Sequence, residues 1–272
     1  KTTVAEMLTH DTAQRILGAL DQHHVLLFEK LHIHDNQFVQ FTAMLGEKHD
    51  NGVTADGSEA SGKGMLRVAL DKDDRTQKDF ILGNDHWHMD GTSYDTPGKA
   101  TLLKCESAPK TGGDTGFANL HAAYAALPDA LKRRIETLRV GHCMASVGRK
   151  IYDDPKPEDF ERWDAVFPRV VHPLVWHQKN GETAMLIGST ANDIEGVDDD
   201  ESRELLQELL DWSVQDRFVY RHKWKAGDLV MFNNPALLHR SFPYDEQAGR
   251  VMHRTTLKGT ERISENSPRA AA

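Results

Sequence analysis

Apolar residues in this chain come in short groups, and the period of those groups changes along its length. Near the N-terminus, Asp11 to Leu20 starts on a residue type that caps helices, and Ile16, Leu17 and Leu20 share one face at helical spacing. Val25-Leu26-Leu27-Phe28 is a continuous apolar run of strand length. Asp35 to Leu45 returns to the helical period through Phe38, Phe41 and Leu45, with Gly46 as its stop. Residues 47–63 carry Gly, Ser, Asp and Glu with few apolar anchors and predict a mobile loop. From residue 64 onward short β-type segments recur at Met65–Leu70, Ala100–Glu106, Val140–Ala145, Val170–Trp176, Met185–Ile187, Phe218–His222, Leu229–Phe232 and Val251–Leu257. Turn signals such as Gly112-Gly113-Asp114, Asn180-Gly181 and Ala226-Gly227-Asp228 separate them. Helices are predicted over Pro128–Leu138 and Glu201–Gln215. The acidic, proline-bearing stretch around 149–165 predicts a second mobile excursion. The pattern gives one mainly β domain over residues 1–272 with flanking helices, without internal repeats or a linker.

Composition narrows the classes. In 272 residues, 33 Lys+Arg against 42 Asp+Glu leave a net charge of −9, which argues against a nucleic-acid binder, since phosphate neutralisation needs a basic surplus. With 39% hydrophobic and 28% charged residues the chain can bury a core. No window approaches 18 apolar residues, so no membrane span is expected. Cys105 and Cys143 form neither a CxxC nor a disulfide framework, which points to a reducing, cytoplasmic location. The chain opens on Lys1-Thr2-Thr3 with no signal-peptide pattern and reads as a trimmed start. Its 15 histidines are an excess, most of which chemistry does not need.

The most informative segment is Asn84-Asp85-His86-Trp87-His88-Met89-Asp90-Gly91. As a strand it would send His86, His88 and Asp90 to one face, where an imidazole and a carboxylate two residues apart can reach one metal ion. His239 follows the apolar Leu237-Leu238, 151 residues beyond His88. Two histidines and one carboxylate form the facial set that leaves three positions of Fe(II) open, one for O2 and two for a chelating cosubstrate. A structural zinc site would want four protein ligands, typically with cysteine. The alternative is a metal-dependent hydrolase using His86, His88 and Asp90. Its His-x-His-x-Asp-His motif is broken here by Gly91 where a histidine is needed.

Trp87-His88-Met89-Asp90, Gly112-Gly113-Asp114-Thr115, Phe218 to Trp224, Gly227 to Met231 and the block from His239 to Arg254 stand in an order and spacing that resembles the TauD/TfdA family of Fe(II)/2-oxoglutarate-dependent dioxygenases, nearest its 2,4-dichlorophenoxyacetate dioxygenase-like branch. The resemblance implies a double-stranded β-helix, or jelly roll, with Fe(II) and O2 as cofactors and 2-oxoglutarate as cosubstrate. It implies His88, Asp90 and His239 as iron ligands. Thr115 and Arg250 would bind the distal carboxylate of 2-oxoglutarate, a task that suits the planar fork of a guanidinium. Asn84 would lie near the cosubstrate, and Arg254 would meet the acidic group of the substrate. The expected reaction hydroxylates a small, anionic organic molecule at an unactivated C–H, with succinate and CO2 as coproducts. Next to an ether oxygen or a sulfonate-bearing carbon the product would fragment, so the net outcome would be ether or C–S cleavage. No nucleic-acid or membrane partner is expected, and homo-oligomers are.

Overall fold

The computed structural model describes residues 2–49, 65–70 and 75–263, apart from the side chains of 75–77. Helices are α1 (Val4–Met7), α2 (His10–His23), α3 (Asp35–Leu45), α4 (Arg75–Gly83), α5 (Leu120–Ala125), α6 (Asp129–Ile135), α7 (Met144–Ile151), α8 (Pro157–Val166) and α9 (Asp199–Ser213). Strands are β1 (Val25–Phe28), β2 (Leu66–Val68), β3 (Ala100–Ser107), β4 (Thr115–Asn119), β5 (Arg139–His142), β6 (Val170–Pro173), β7 (Val175–His177), β8 (Thr183–Met185), β9 (Ala191–Ile194), β10 (Val219–His222), β11 (Leu229–Asn233), β12 (Leu237–Ser241) and β13 (Val251–Leu257).

Every strand pairing is antiparallel. The larger sheet runs β1-β11-β3-β13-β2, and the smaller one beside the site runs β10-β4-β12. Strand alternation sorts the large sheet's two faces. Leu229 and Met231 of β11, with Ala100 and Leu102 of β3, pack with Phe38 and Phe41 of α3 and Leu20 of α2. Val230 and Phe232 of β11 point the other way, with Cys105 of β3 and Met252 of β13, and meet Phe117 of β4 and Leu237 of β12 from the smaller sheet. A third cluster, around Trp176, Met185, Leu205 and Leu238, fills the space between β12, β7–β8 and α9. The architecture is the expected jelly roll with helices outside it, and no barrel closes among the described residues. No helix among these residues is long and apolar enough to cross a membrane.

Two local expectations change. The excursion at 149–165 is largely helical: α7 runs to Ile151, and α8 opens on Pro157 with Glu158 and Asp159 in its first turn. Proline and acids suit a helix start, where the missing N–H costs nothing and the dipole favours negative charge, so composition that suggested a loop builds a helix. Of the loop expected at 47–63, residues 50–63 lie outside the described residues. The segment 84–90 is not a strand either; it meets β12 at an isolated bridge, His88 to His239, and through one further backbone bond at Asn84.

Candidate active site

That bridge places two of the three donors. His88 N donates to His239 O at 3.0 Å and His239 N to His88 O at 2.8 Å, a mutual backbone pair that sets the residues opposite one another. Their ring centroids lie 4.1 Å apart. Flanking bonds hold the segment on both sides, Ser241 N to Asn84 O at 2.6 Å and Ser189 N to Trp87 O at 2.7 Å. Gly188, at φ +112°, makes the second approach feasible, since a Cβ there would lie 2.7 Å from the Trp87 carbonyl.

Asp90 closes the cluster. His88 Nε2 is 3.8 Å from Asp90 Oδ1 and His239 Nε2 is 3.7 Å from Asp90 Oδ2. One donor atom from each of the three residues lies within 4.8 Å of the others, which suits a single ion. His88 Nδ1 is 2.8 Å from the His86 carbonyl, which can only accept. The proton therefore sits on Nδ1, and Nε2 keeps its lone pair for the cluster. Burial lowers the pKa of His88, and burial together with the neighbouring His88 ring pushes His239 down to about 3. Burial alone would raise Asp90, but Arg254, the two histidines and the Thr101 hydroxyl hold it well below the usual carboxylate range. Two neutral imidazoles and one carboxylate therefore face each other, the ionisation states that ligation of a divalent cation needs.

Asp90 Oδ2 accepts from Arg254 Nη2 at 2.6 Å and from Thr101 Oγ1 at 3.1 Å. Asn234 Nδ2 in turn donates to Thr101 Oγ1 at 3.1 Å. Thr101 and Asn234 carry no sequence motif; the available signal is a hydroxyl between Ala100 and Leu102 in the apolar first half of β3. Arg254 thus reaches the cluster itself, while its Nε stays buried and unbonded.

Thr115 and Arg250 form a second polar group. Arg250 is 6% exposed, and among the described residues no carboxylate pairs with it; its Nε has no hydrogen bond. A buried guanidinium in that condition is costly without an anion. It runs beside Gly113, where a Cβ would lie 3.1 Å from Arg250 Cδ at φ +68°, so the Gly-Gly-Asp turn is what lets the arginine approach β4. Thr115, first residue of β4, is 4% exposed and accepts from Trp224 Nε1 at 2.9 Å. Asn84 is anchored through its backbone, and its side-chain amide makes no hydrogen bond among the described residues. His86 contributes its carbonyl and leaves its imidazole outside the donor cluster.

A second convergence, Asp35, Glu106 and His253, lies on the helix-covered face of the large sheet. Lys104 already serves it, with its ammonium 2.7 Å from Asp35 and 2.5 Å from Glu106.

A jelly roll holding a two-histidine, one-carboxylate cluster carries the donor set of a class of metal-dependent oxygenases. A sequence model of the taurine catabolism dioxygenase TauD, TfdA family matches residues 2–256. The chain is 34% identical over 241 residues to the (S)-phenoxypropionate/alpha-ketoglutarate-dioxygenase of Sphingobium herbicidovorans, covering 86% of this chain and 82% of that one. It is 31% identical over 261 residues to the alpha-ketoglutarate-dependent 2,4-dichlorophenoxyacetate dioxygenase of Cupriavidus pinatubonensis, covering 92% and 90%. The crystal structure of AAD-2 in complex with Mn(II) and N-oxalylglycine superposes with a TM-score of 0.85 at 31% identity, covering 98% of this chain and 95% of that one. The chain belongs to the TauD/TfdA family, and it is a 2-oxoglutarate-dependent dioxygenase that uses Fe(II) and O2. Nothing favours the hydrolase alternative, which needs the His86 imidazole at the metal.

Proposed function

We propose that His88, Asp90 and His239 hold the iron, that Thr115 and Arg250 receive the distal carboxylate of 2-oxoglutarate, and that Asn84 borders the cosubstrate. The observation carrying this reading is the convergence of His88, Asp90 and His239, with one donor atom of each within 4.8 Å of the others; a buried arginine outside any ion pair supports it. When bound, Fe(II) supplies the activation of O2, coupled to conversion of 2-oxoglutarate to succinate and CO2 and to hydroxylation of a C–H bond.

The chain's own residues do the positioning. The His88–His239 backbone exchange fixes the imidazoles before anything binds. Arg254 and Thr101 occupy Asp90 Oδ2, so that Oδ1 is the oxygen left for the metal. Arg250 offers charge and a fork of N–H donors to a carboxylate, and burial excludes the water that would compete.

The substrate is a small organic anion. Arg254 keeps donors beyond the one bound to Asp90, so a carboxylate can reach the same guanidinium next to the metal site. The two relatives are named for aryloxyalkanoates, which makes that class the first to test. Hydroxylation at the carbon next to the ether oxygen would give a hemiacetal or hemiketal that collapses with loss of a phenol.

Anaerobic addition of Fe(II) and 2-oxoglutarate to the protein should give the weak visible charge-transfer band of a chelate. Its absence from the native protein, or its survival in His239→Ala, sinks the assignment. Succinate release across phenoxyacetate, 2-phenoxypropionate, alkyl sulfates and taurine then ranks the anions. Turnover that persists without O2 and 2-oxoglutarate would return the hydrolase.

A further inference from the structure

We infer that Trp224 is a positioning residue for the cosubstrate: its indole N–H commits the Thr115 hydroxyl to donating its proton to the distal carboxylate of 2-oxoglutarate. The inference rests on the reading of Thr115 given above. A threonine hydroxyl has one proton and two lone pairs and can rotate to serve as donor or acceptor, whereas an indole N–H can only donate. Trp224 Nε1 lies 2.9 Å from Thr115 Oγ1, so the hydroxyl is the acceptor in that contact. Its proton must then point elsewhere. Among the described residues no acceptor takes it, although Thr115 is 4% exposed and Trp224 5%. Thr115 is thus a buried donor without an acceptor, on the strand that Arg250, a buried cation in no ion pair on which Asp85 acts only from beyond contact, approaches across Gly113. Both gaps call for the same ligand chemistry, a carboxylate.

The indole is held firmly enough to impose this polarity. Strand β10 pairs with β4 in a register that places His222 opposite Thr115. Two residues further on, the Trp224 ring meets the His222 ring edge-on at 4.6 Å. His222 Nε2 lies 3.2 Å from Asp228 Oδ2, which also accepts Lys225 N at 3.0 Å, while Asp228 Oδ1 accepts Lys30 N at 2.8 Å. Because Asp228 is 1% exposed and bonded on both oxygens, the turn carrying Trp224 has little freedom. Without the indole, Thr115 could accept a hydrogen bond from a neighbouring donor and present its lone pairs to the incoming carboxylate. That orientation would repel the ligand.

The test is Trp224→Phe, which keeps a ring against His222 and deletes the donor; the smaller ring also loosens the buried cluster around it, an effect that falls on both ligands below alike. Affinity is read by calorimetry on the anaerobic Mn(II)-loaded protein, with 2-oxoglutarate and with 2-oxovalerate, which lacks the distal carboxylate. We expect the 2-oxoglutarate Kd to rise roughly fivefold, as for one lost hydrogen bond, and the 2-oxovalerate Kd to stay within about twofold. Adding Thr115→Val to Trp224→Phe should weaken 2-oxoglutarate no more than Thr115→Val alone. If Thr115→Val itself leaves 2-oxoglutarate binding unchanged, the assignment of Thr115 fails. If Thr115→Val weakens it and Trp224→Phe does not, or if both ligands weaken equally in Trp224→Phe, the inference about Trp224 fails while the assignment stands. An independent reading comes from the native protein: the Trp224 indole N–H resonance should shift on adding 2-oxoglutarate and stay put with 2-oxovalerate, and a resonance indifferent to 2-oxoglutarate overturns the inference.

Discussion

Replacing Asp79 tests how the helical excursion next to the site is held. Asp79 lies on α4, is 1% exposed, and accepts three hydrogen bonds: from Tyr152 Oη at 2.5 Å, Arg162 Nη2 at 2.8 Å and Trp163 Nε1 at 2.9 Å. One carboxylate therefore ties α4 to α7 and α8. In Asp79→Ala, Arg162 keeps Asp159 at 2.9 Å, so its charge does not become an orphan. The Trp163 indole N–H, on a side chain 1% exposed, loses the acceptor it now has. A stranded buried donor costs about 1–3 kcal/mol, and hydrogen bonds to an ionised acceptor are worth about 1.5–3 kcal/mol each. Allowing for overlap between these contributions, the variant should lose roughly 3–5 kcal/mol. For a chain of this size that is a drop in Tm of about 10 °C. Asp79→Asn, which retains an acceptor oxygen and the shape, should lose only about 1–2 kcal/mol. Urea titrations of both variants, and of each combined with Trp163→Phe, measure the coupling; the Trp163→Phe cost should shrink by about 1 kcal/mol when Asp79 is already gone. Mn(II) affinity should change little, because the His88–His239 backbone pair, not α4, fixes the donors. A loss below about 1 kcal/mol for Asp79→Ala, or equal losses for Ala and Asn, would refute the account.

Three further outcomes follow from the same structure. Thr101→Val removes a donor from Asp90 Oδ2 and deprives Asn234 of an acceptor, so Mn(II) affinity measured by titration should fall about tenfold, within the range seen when a ligand's supporting hydrogen bond is lost. Gly113→Ala forces a side chain onto φ +68°, with its Cβ 2.8 Å from Pro109 Cγ and 3.1 Å from Arg250 Cδ; it should cost about 1–2 kcal/mol in denaturation and raise the Kd for 2-oxoglutarate more than that for 2-oxovalerate. His142 is fully buried, and burial, reinforced by the neighbouring His172, pushes its pKa down to about 3. The folded value lies below the unfolded value of about 6.5, so this stabilisation is complete above pH 6.5 and is lost as pH falls from there towards 3. Between pH 7 and pH 5 that histidine should account for about 2 kcal/mol of lost stability, and urea titrations of His142→Gln should show a flatter profile over the same interval.

Where one period ran unbroken, the sequence was enough to place the element: β1, α3, β11 and β13 lie where their apolar patterns predict. It misled where composition and period disagreed. Around α8, two prolines and a run of acids suggest a loop, yet Pro157 and Glu158 suit a helix start and Trp163 anchors the helix in the core. In 84–90 the alternation of His86, His88 and Asp90 imitated a strand, although one bridge and the flanking turns decide the geometry. The residue types of the site were legible because the metal chemistry restricts them. Their supports were not: Arg254 meets Asp90 across 164 positions, Trp224 meets Thr115 across 109 and Asn234 meets Thr101 across 133. No local pattern encodes such pairs, which exist only once β13, β10 and β11 have taken their places.

The two halves of the site are held by different means, and that difference bears on how a chain of net charge −9 can take a doubly negative cosubstrate. The histidines are set by backbone bonds that survive side-chain exchange, whereas Asp90 and Thr115 depend on side-chain donors that each leave one oxygen or proton committed. The overall charge acts through solvent and is screened beyond about 8–10 Å at physiological salt, so it governs approach rather than binding. In the proposed site Arg250 would act at contact and out of water, where one guanidinium outweighs many distant carboxylates. Asp90, by contrast, already holds Arg254, so adding a divalent metal to that pair leaves the centre with surplus positive charge. On the proposed assignment an anionic substrate would then remove an imbalance instead of creating one, and a carboxylate-bearing molecule should bind next to the metal better than its neutral amide.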